Sequence, residues 1–433
     1  MIDSKEKPNF IIVFCDDLGY GDLSCFGHPT IKTPHLDKMA NEGQKWTNFY
    51  VSSSVSSPSR AGLITGRLGV RTGMYGNEKE VLFPDSPGGL PSDEYTIADI
   101  LKQQGYTTAC VGKWHLGVTN ESMPLNKGFD YFYGLPYSND MSQKEQSLQG
   151  NTNYRFHLPF YNQEEIIEID PDQTQFTKRL TEYAIKFIEK EKNNPFFIYL
   201  THPMPHIPLY SSADFQDKSL RGKYGDAVEE IDWSVGQNIE TLRKNELDDN
   251  TLIIFTSDNG PWITYGIDGG SAGLLNDGKA STYEGGYRVP CIVWGGMVKS
   301  SLITDLGSTL DLLPTFCDMA GISLPTDRVY DGMSLYNTIS QNGRSSRKVM
   351  PFFRGSELYA YRKGDYKIHF IIRPAYGSKE KTVLEKPLLF NINTDPGELY
   401  NISEQYPDIV KQLTFEAKEY VSSISIKKSI FDQ

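Results

Sequence analysis

Near the start of the chain stands the stretch Phe10-Ile11-Ile12-Val13-Phe14-Cys15-Asp16-Asp17, in which a continuous apolar run leads directly into two carboxylates. An apolar run without alternation is typical of a strand buried on both faces, as in a parallel sheet covered by helices. Ligand sites in such sheets lie beyond the carboxyl ends of the strands. We therefore expect an α/β fold whose functional site contains the residues that follow this strand.

Similar apolar runs alternate with helix-period segments along most of the sequence, which predicts a large, mostly parallel sheet flanked by helices. Strands are predicted at residues 10–14, 107–111, 196–200 and 252–255, and helices at 34–43, 96–104, 177–192 and 228–242. Residues 141–176 show neither pattern, so we expect an irregular, substrate-facing insertion there. We assign residues 1–330 to a catalytic domain. Short strand-like segments and a final helix predict a smaller α+β subdomain with an antiparallel sheet at residues 331–433.

Length, charge and hydropathy limit the classes of protein to which the chain can belong. The net charge of the 433 residues is -12, which is the wrong sign for a nucleic-acid binder. No apolar segment is long enough to span a membrane. Residues 1–10 lack the apolar core of a signal peptide. We expect either a mature periplasmic, secreted or lysosomal chain whose leader has been removed, or a cytoplasmic protein.

Polar side chains follow several predicted strands at the point where each strand ends. They are Asp16 and Asp17, Lys113 and His115, His202 and His206, and Asp258 and Asn259. Because the carboxyl ends of parallel strands meet at one edge of a sheet, we expect these side chains to converge. The two acid-rich pairs offer only oxygen ligands, which suit calcium or magnesium better than zinc. Taken alone, Asp16-Asp17 could equally cap a helix or stabilise a turn.

A serine-rich segment at residues 52–67 contains the run Ser56-Ser57-Pro58-Ser59-Arg60. This run predicts a loop followed by a helix that Ser57 caps, with Pro58 at the first helical position. A helix N-terminus at the ligand edge of a sheet binds anions, and Arg60 adds positive charge in the first turn. Ser56 is therefore placed as a nucleophile, in the manner of an alkaline-phosphatase-like enzyme.

The run at Ser56, with Thr65-Gly66-Arg67 downstream, resembles the signature of the type I sulfatase family. In that family, the first residue of the run is oxidised to formylglycine. Further resemblance lies, in the family's order, at Asp16–Asp22, Gly112–Gly117, Ser257–Gly260, Gly278–Gly286 and Leu389–Glu398. The resemblance covers nearly the whole chain. It implies an alkaline-phosphatase-like fold and the hydrolysis of sulfate esters, with Ca²⁺ and formylglycine as cofactors.

The resemblance also implies a role for each residue that matches the family's motifs. The metal ligands would be Asp16, Asp17, Asp258 and Asn259. Position 56, as formylglycine hydrate, would attack the sulfur atom. Arg60 and Lys113 would stabilise the hydrate and the developing negative charge.

The remaining implied roles concern the sulfate group and proton transfer. His206 and Lys279 would contact the sulfate, and either could protonate the leaving alkoxide. We choose His206 over His202 because His206-Ile207-Pro208 matches the family's His-x-Pro pattern better. His115 would remove a proton from the second hydroxyl of the hydrate. Ser138 falls where arylsulfatases place a serine that contacts the sulfate.

The serine at position 56 raises a chemical question. An unmodified serine has one hydroxyl and would keep a transferred sulfate as a stable ester, so turnover requires the oxidation of Ser56. The chain could belong to the serine-type branch, matured by an anaerobic radical enzyme, or serine could have replaced an original cysteine. We favour replacement, because most family members carry cysteine. A formylglycine-generating enzyme is in either case an expected partner.

Three segments resemble the branch that contains N-acetylgalactosamine-6-sulfatase and arylsulfatase A. They are Arg221–Ala227, Gly269–Gly273 and Phe352–Gly355. The similarity implies an exo-acting enzyme that removes a 6- or 4-sulfate from galactose or N-acetylgalactosamine at the end of a sulfated saccharide. Two alternatives remain open. One is a phosphomonoesterase or phosphodiesterase of the same superfamily, and the other is a sulfoglycan-binding protein with an unmodified, inactive Ser56.

Overall fold

Within residues 7–376 and 380–433, which the computed structural model describes, the first predicted strand lies inside a 10-stranded sheet. Its strands are β1 (Asn9–Cys15), β2 (Gln44–Tyr50), β3 (Thr107–Lys113), β4 (Tyr131–Leu135), β5 (Pro159–Asn162), β6 (Glu165–Ile169), β7 (Phe196–Thr201), β8 (Thr251–Ser257), β9 (Arg288–Trp294) and β10 (Ser301–Ser308). The strand order is β10-β2-β9-β8-β1-β7-β3-β4-β5-β6. The central strands β8, β1, β7, β3 and β4 are parallel, so their carboxyl ends share one edge.

Helices cover both faces of this sheet. The α-helices of the described residues are α1 (Pro34–Glu42), α2 (Ser56–Thr65), α3 (Gly69–Thr72), α4 (Ile97–Lys102), α5 (Gln143–Leu148), α6 (Phe176–Glu191), α7 (Lys223–Lys244), α8 (Glu284–Tyr287), α9 (Leu312–Ala320), α10 (Tyr336–Gln341) and α11 (Pro407–Ser422). One face packs against α2, α4 and α9, and the other against α1, α6 and α7. The predicted α/β class, with a large parallel sheet between helical layers, is confirmed. None of the helices described here is both long and apolar enough to cross a membrane.

The prediction of an irregular insertion at residues 141–176 is wrong. This segment contains α5 and a hairpin, β5–β6, that extends the sheet beyond β4. Strand β5 pairs antiparallel with β4, where Gly134 lies opposite Tyr161. Ile166, Ile167 and Ile169 of the edge strand β6 are exposed, so this strand lacks the buried apolar face from which strands are predicted.

A second, antiparallel sheet follows in the chain. It contains β11 (Val349–Arg354), β12 (Glu357–Lys363), β13 (Tyr366–Ile372) and β14 (Thr382–Asn391), in that order. Leu413 and Ala417 of α11 are buried against this sheet. The predicted antiparallel sheet and closing helix are therefore confirmed, while the domain boundary at residue 330 stays a prediction.

A buried ion network joins the two sheets. Lys367 Nζ lies 3.1 Å from Glu284 Oε1 and 2.9 Å from Glu398 Oε1, and all three side chains are fully buried. The backbone N–H of Glu284 donates to Glu398 Oε2 at 2.6 Å. The Gly260 N–H donates to Gly286 O at 3.0 Å. The small sheet thus supports the loop that leads from residue 279 to residue 286, and through it the residues that follow β8.

Candidate active site

The carboxyl ends of β1 and β8 bring the predicted metal ligands together. Cys15 and Ser257 are the last paired residues of these parallel strands, so Asp16-Asp17 and Asp258-Asn259 emerge side by side. The Asp17 N–H donates to Asp258 Oδ1 at 3.1 Å, and Asn259 Nδ2 donates to Asp17 Oδ1 at 2.7 Å. All four side chains are buried. Since these contacts join residues of two different strands, they are not those of a local helix cap or turn, the alternative that the sequence left open.

Two buried oxygens of this cluster, Asp16 Oδ1 and Asn259 Oδ1, have no hydrogen-bond partner among the described residues. A buried acceptor without a partner is costly, and a cation satisfies it. Burial also raises the pKa of Asp258 to about 6, and the charge of Asp16 adds to this effect. His206 completes a group, with Asp16 and Asp17, whose possible ligand atoms lie within 4.8 Å of one another. The donor set therefore fits a hard metal cation.

Ser56 is the first residue of α2 and only 2% exposed. Its Oγ donates to Asp258 Oδ2 at 2.6 Å and accepts from Arg60 Nε at 2.8 Å. The helix begins two residues before the predicted first position, Pro58, and follows an extended Val55, so the prediction that Ser57 caps it is wrong. Ser57 Oγ instead accepts the backbone N–H of Leu82 at 3.1 Å.

Arg60 lies one helical turn after Ser56 and is fully buried. Its Nη2 lies 2.9 Å from Asp16 Oδ2 and 3.1 Å from Asp258 Oδ2. Its Nη1 donates to the carbonyl of Lys113 at 3.1 Å. Although burial alone would raise the pKa of Asp16, the charges of Lys113 and Arg60 hold that pKa well below its usual range. Arg60 therefore connects the serine to the acidic cluster.

Strand β3 supplies Lys113 as its last residue and His115 shortly after it. Lys113 Nζ forms an ion pair with Asp16 and donates to Ser138 Oγ at 3.0 Å, which places Ser138 at the cluster. His115 Nε2 lies 2.9 Å from the carbonyl of Leu82, whereas its buried Nδ1 has no hydrogen-bond partner in the part of the chain that the structure describes. Burial, followed by the charge of Lys113, lowers the pKa of His115 well below its ordinary value. His115 is thus a neutral imidazole whose Nδ1 can accept a proton, because Nε2 donates to the carbonyl.

His206 and Lys279 close the site on the side of Asp17. Lys279 Nζ lies 2.8 Å from Asp17 Oδ1, and His206 Nε2 lies 3.5 Å from Asp17 Oδ2. His202 instead lies against α7, where its Nε2 is 3.2 Å from Ser234 Oγ. The structure thus places His206, and not His202, with the acidic cluster.

Trp262 is a site residue that sequence reasoning missed. Its ring centroid lies 4.1 Å from Lys279 Nζ and 5.4 Å from the ring of His206. Tyr265 and Tyr376 pack against the same indole, at 4.7 and 5.2 Å. All three aromatic side chains are partly exposed, whereas the charged cluster below them is buried. Trp262 could have been predicted as a site residue from its position, three residues after Asn259.

Comparisons with known proteins agree with this geometry. The sulfatase family model matches residues 8–322, and the model for the C-terminal region of aryl-sulfatase matches residues 345–433. Human arylsulfatase A is 38% identical over 91% of this chain and 83% of its own length. Mouse N-acetylgalactosamine-6-sulfatase is 34% identical over 97% of this chain and 87% of its own.

Among solved structures, the PsFucS1 sulfatase from Pseudoalteromonas sp. superimposes with a TM-score of 0.86 at 28% identity. The superposition covers 96% of this chain and 90% of that one. The two family models match the residues that form the large sheet and the second, smaller sheet, respectively. The chain belongs to the sulfatase family and hydrolyses sulfate esters.

Proposed function

We propose that this sulfatase removes the 6- or 4-sulfate from terminal galactose or N-acetylgalactosamine residues of sulfated glycans. The similarity to N-acetylgalactosamine-6-sulfatase supports this choice of substrate. One observation carries the assignment of the reacting centre: Ser56 Oγ lies buried between Arg60 and Asp258, beside the cationic Lys113 and the acidic cluster. An anionic ester bound there meets several fixed positive charges at the N-terminus of α2.

We propose Ca²⁺ as the metal of the acidic cluster. Asp16, Asp17, Asp258 and Asn259 would hold it, since two of their buried oxygens have no hydrogen-bond partner within residues 7–376 and 380–433. When bound, Ca²⁺ supplies a positive charge that polarises a sulfate oxygen and favours the ionised nucleophile. In this structure Lys279 and Lys113 neutralise part of the same acidic charge.

Position 56 requires oxidation for repeated turnover. Formylglycine, as its hydrate, offers a second hydroxyl, and this hydroxyl allows the sulfate to leave after transfer. The proposal therefore includes a maturation enzyme that acts on the Ser56 segment. Ser56 and Arg60 are buried in the folded chain, so this enzyme must act before folding is complete.

The surrounding side chains have distinct roles in this proposal. Arg60 orients the group at position 56 through Nε, and Lys113, held by Ser138, stabilises negative charge next to it. His206 and Lys279 bind the sulfate, and one of them protonates the leaving sugar oxygen. His115 accepts a proton at Nδ1, because its Nε2 already carries a proton that it donates to the carbonyl of Leu82.

The test is the release of inorganic sulfate from 4- and 6-sulfated galactose and N-acetylgalactosamine. The corresponding phosphate esters are assayed as alternative substrates. We expect sulfate release from at least one of these sugars and its loss in the Ser56→Ala variant. Phosphate release without sulfate release would favour the phosphoesterase alternative. Among the described residues only one group of His, Cys, Asp and Glu side chains is suited to bind a metal, and Lys113 and Lys279 supply positive charge beside it.

A second function follows if Ser56 remains an alcohol. The cationic site would still bind a sulfated glycan but could not release sulfate repeatedly. Two observations would identify this form. The chain would bind a 6-sulfated sugar tightly without releasing sulfate. A Ser56→Cys variant, produced together with a formylglycine-generating enzyme, would release sulfate.

A further inference from the structure

A cavity of about 330 Å³ lies beside the active site, between the segment that precedes Ser56 and the small sheet. Its wall includes Ser54, Val55 and Ala280, which are close neighbours in sequence of Ser56 and Lys279. The Ala280 N–H donates to Ser54 O at 2.9 Å, which holds these two segments together along the cavity. A volume of this size is at the lower end of the range for small-molecule sites, about 300 to 1,000 Å³.

The polar wall of the cavity contains an arginine and a glutamate with unused hydrogen-bonding capacity. Arg354 Nη2 lies 2.7 Å from Glu80 Oε1, and the two side chains are only 9% and 15% exposed. Arg354 Nε and Glu80 Oε2 are buried without a hydrogen-bond partner among the described residues. Because buried polar groups are normally paired, a ligand that offers both an acceptor and a donor would complement this wall.

The charge and shape of the cavity define the class of that ligand. Arg354 and Arg373 both lie against Glu80, and Lys381 pairs with Glu357. The cavity wall therefore carries one more cationic than acidic side chain, in a chain of net charge -12. Phe353, Tyr75 and Tyr359 contribute aromatic surface to the same cavity. An apolar ring face with hydroxyl groups and one negative charge matches such a surface, and an acidic sugar has this composition.

A continuous line of contacts connects this cavity to the sulfate position. Arg373 Nη1 lies 3.6 Å from Glu80 Oε1 in the cavity wall, and three residues later the Tyr376 ring packs 5.2 Å from Trp262. Trp262 in turn covers Lys279 Nζ at 4.1 Å. A glycan whose sulfate lies at Lys279 therefore has its next sugar unit on the side of Trp262 and Tyr376, towards Glu80 and Arg354.

We propose that this cavity is a second sugar subsite, which binds the unit next to the sulfated one and selects a unit that carries a carboxylate or a sulfate. Arg354 is the specificity-determining residue, and Lys381 provides a second cation where the cavity is exposed. This inference rests on the proposed glycan sulfatase function, because it requires the sulfated end of the glycan to occupy the neighbouring site.

The test measures binding by isothermal titration calorimetry, with the full chain carrying Ser56→Ala so that no substrate is consumed. The ligands are 6-sulfated N-acetylgalactosamine alone and linked to a neutral galactose, to a glucuronate or to a sulfated galactose. We expect the two anionic disaccharides to bind about tenfold more tightly than the neutral one. A preference for only one of them identifies which anion is selected. Equal dissociation constants for all three disaccharides would overturn the proposal.

Two substitutions assign the effect to the cavity. Arg354→Gln should reduce the preference for anionic disaccharides to less than about twofold and leave the affinity for the monosaccharide unchanged. Arg344→Gln is the matched control, because that side chain is 84% exposed and lies outside the cavity wall. If Arg354→Gln lowers the melting temperature markedly, Lys381→Glu replaces it, since Lys381 is 44% exposed and tolerates substitution. Retention of the preference in both variants would contradict the proposal.

Failure of the subsite and failure of the proposed function give different results. Sulfate release by the unsubstituted chain from the monosaccharide tests the function without involving the cavity. Release without any preference among disaccharides would refute the subsite alone. A failure of every sulfated ligand to bind would refute both.

Discussion

Arg60 Nε donates a 2.8 Å hydrogen bond to Ser56 Oγ, and the same guanidinium contacts Asp16 and Asp258. One buried side chain thus orients the reacting residue and neutralises two of the carboxylates proposed to hold the metal. The spacing of four residues within α2 places both groups on one face of the helix. The spacing from Ser56 to Arg60 is therefore the one at which the guanidinium can reach the reacting residue within a single helical turn.

Removal of the Ser56 hydroxyl should abolish sulfate release. We expect Ser56→Ala to lower kcat by at least about a thousandfold, as losses of a nucleophile do in other hydrolases. Ser59→Ala is the matched control on the same helix, since the buried Ser59 Oγ makes no hydrogen bond with any described residue that the substitution could break. Comparable kcat values for the two variants would contradict the role of Ser56.

Arg60 should also be essential for stability. Replacement of Arg60 by leucine leaves Asp16 and Asp258 without this buried partner, which should cost about 3–5 kcal/mol in the free energy of unfolding. Urea titration of chelator-treated protein measures this loss. Arg344→Leu, at a residue paired on the surface with Asp305, should change the same quantity by less than about 0.5 kcal/mol. A small effect of Arg60→Leu would show that the acidic cluster does not need the guanidinium.

Calcium should stabilise the folded chain. At a calcium concentration a hundredfold above the dissociation constant, we expect a gain of about 2.7 kcal/mol in the free energy of unfolding. Asn259→Ala removes an oxygen that has no hydrogen-bond partner among the described residues, and should reduce this gain, whereas Asp232→Asn, on α7, should retain it. Thermal unfolding with calcium and with magnesium provides the measurement. An identical shift in all three proteins would place the cation elsewhere.

The stability of the protein should fall as the pH decreases below about 6.5, in part because of His202. Burial lowers the pKa of His202 from its ordinary value of 6.5 to about 3. Between these two pH values the unfolded chain therefore takes up a proton that the folded chain excludes. The contribution of His202 to the free energy of unfolding is fully present above pH ~6.5. Below that pH it falls by about 1.4 kcal/mol per pH unit.

His202→Gln tests this assignment, because glutamine can still hydrogen-bond to Ser234 but does not titrate. Urea unfolding between pH 7 and 5 should show a pH slope shallower by about 1.4 kcal/mol per unit in this variant. Parallel slopes for the two proteins would show that His202 does not contribute.

The sequence predicted those parts of the fold that rest on strong periodic patterns. The strands that precede Asp16, Lys113 and Asp258 are buried on both faces, and their apolar runs are visible without a structure. The hairpin at residues 159–169 was missed because its outer strand is exposed. The convergence of Asp16, Asp17, Asp258 and Asn259 was predictable, since each pair directly follows such a strand.

Other features depend on contacts between distant segments and are not encoded locally. Trp262 and Tyr376 meet only because the loop after β8 approaches the end of β13. The pairing of Glu284 with Lys367 likewise requires both sheets to be in place. The cellular compartment and the origin of serine at position 56 stay predictions.

The oxidation state of position 56 tests the central claim most directly. Trypsin should release the peptide that extends from Trp46 to Arg60, and its fragment masses locate any change within the serine run. In protein that releases sulfate repeatedly, we predict an aldehyde at position 56, seen as the loss of two hydrogen atoms from that residue. An unmodified alcohol at Ser56 in fully active protein would contradict the account.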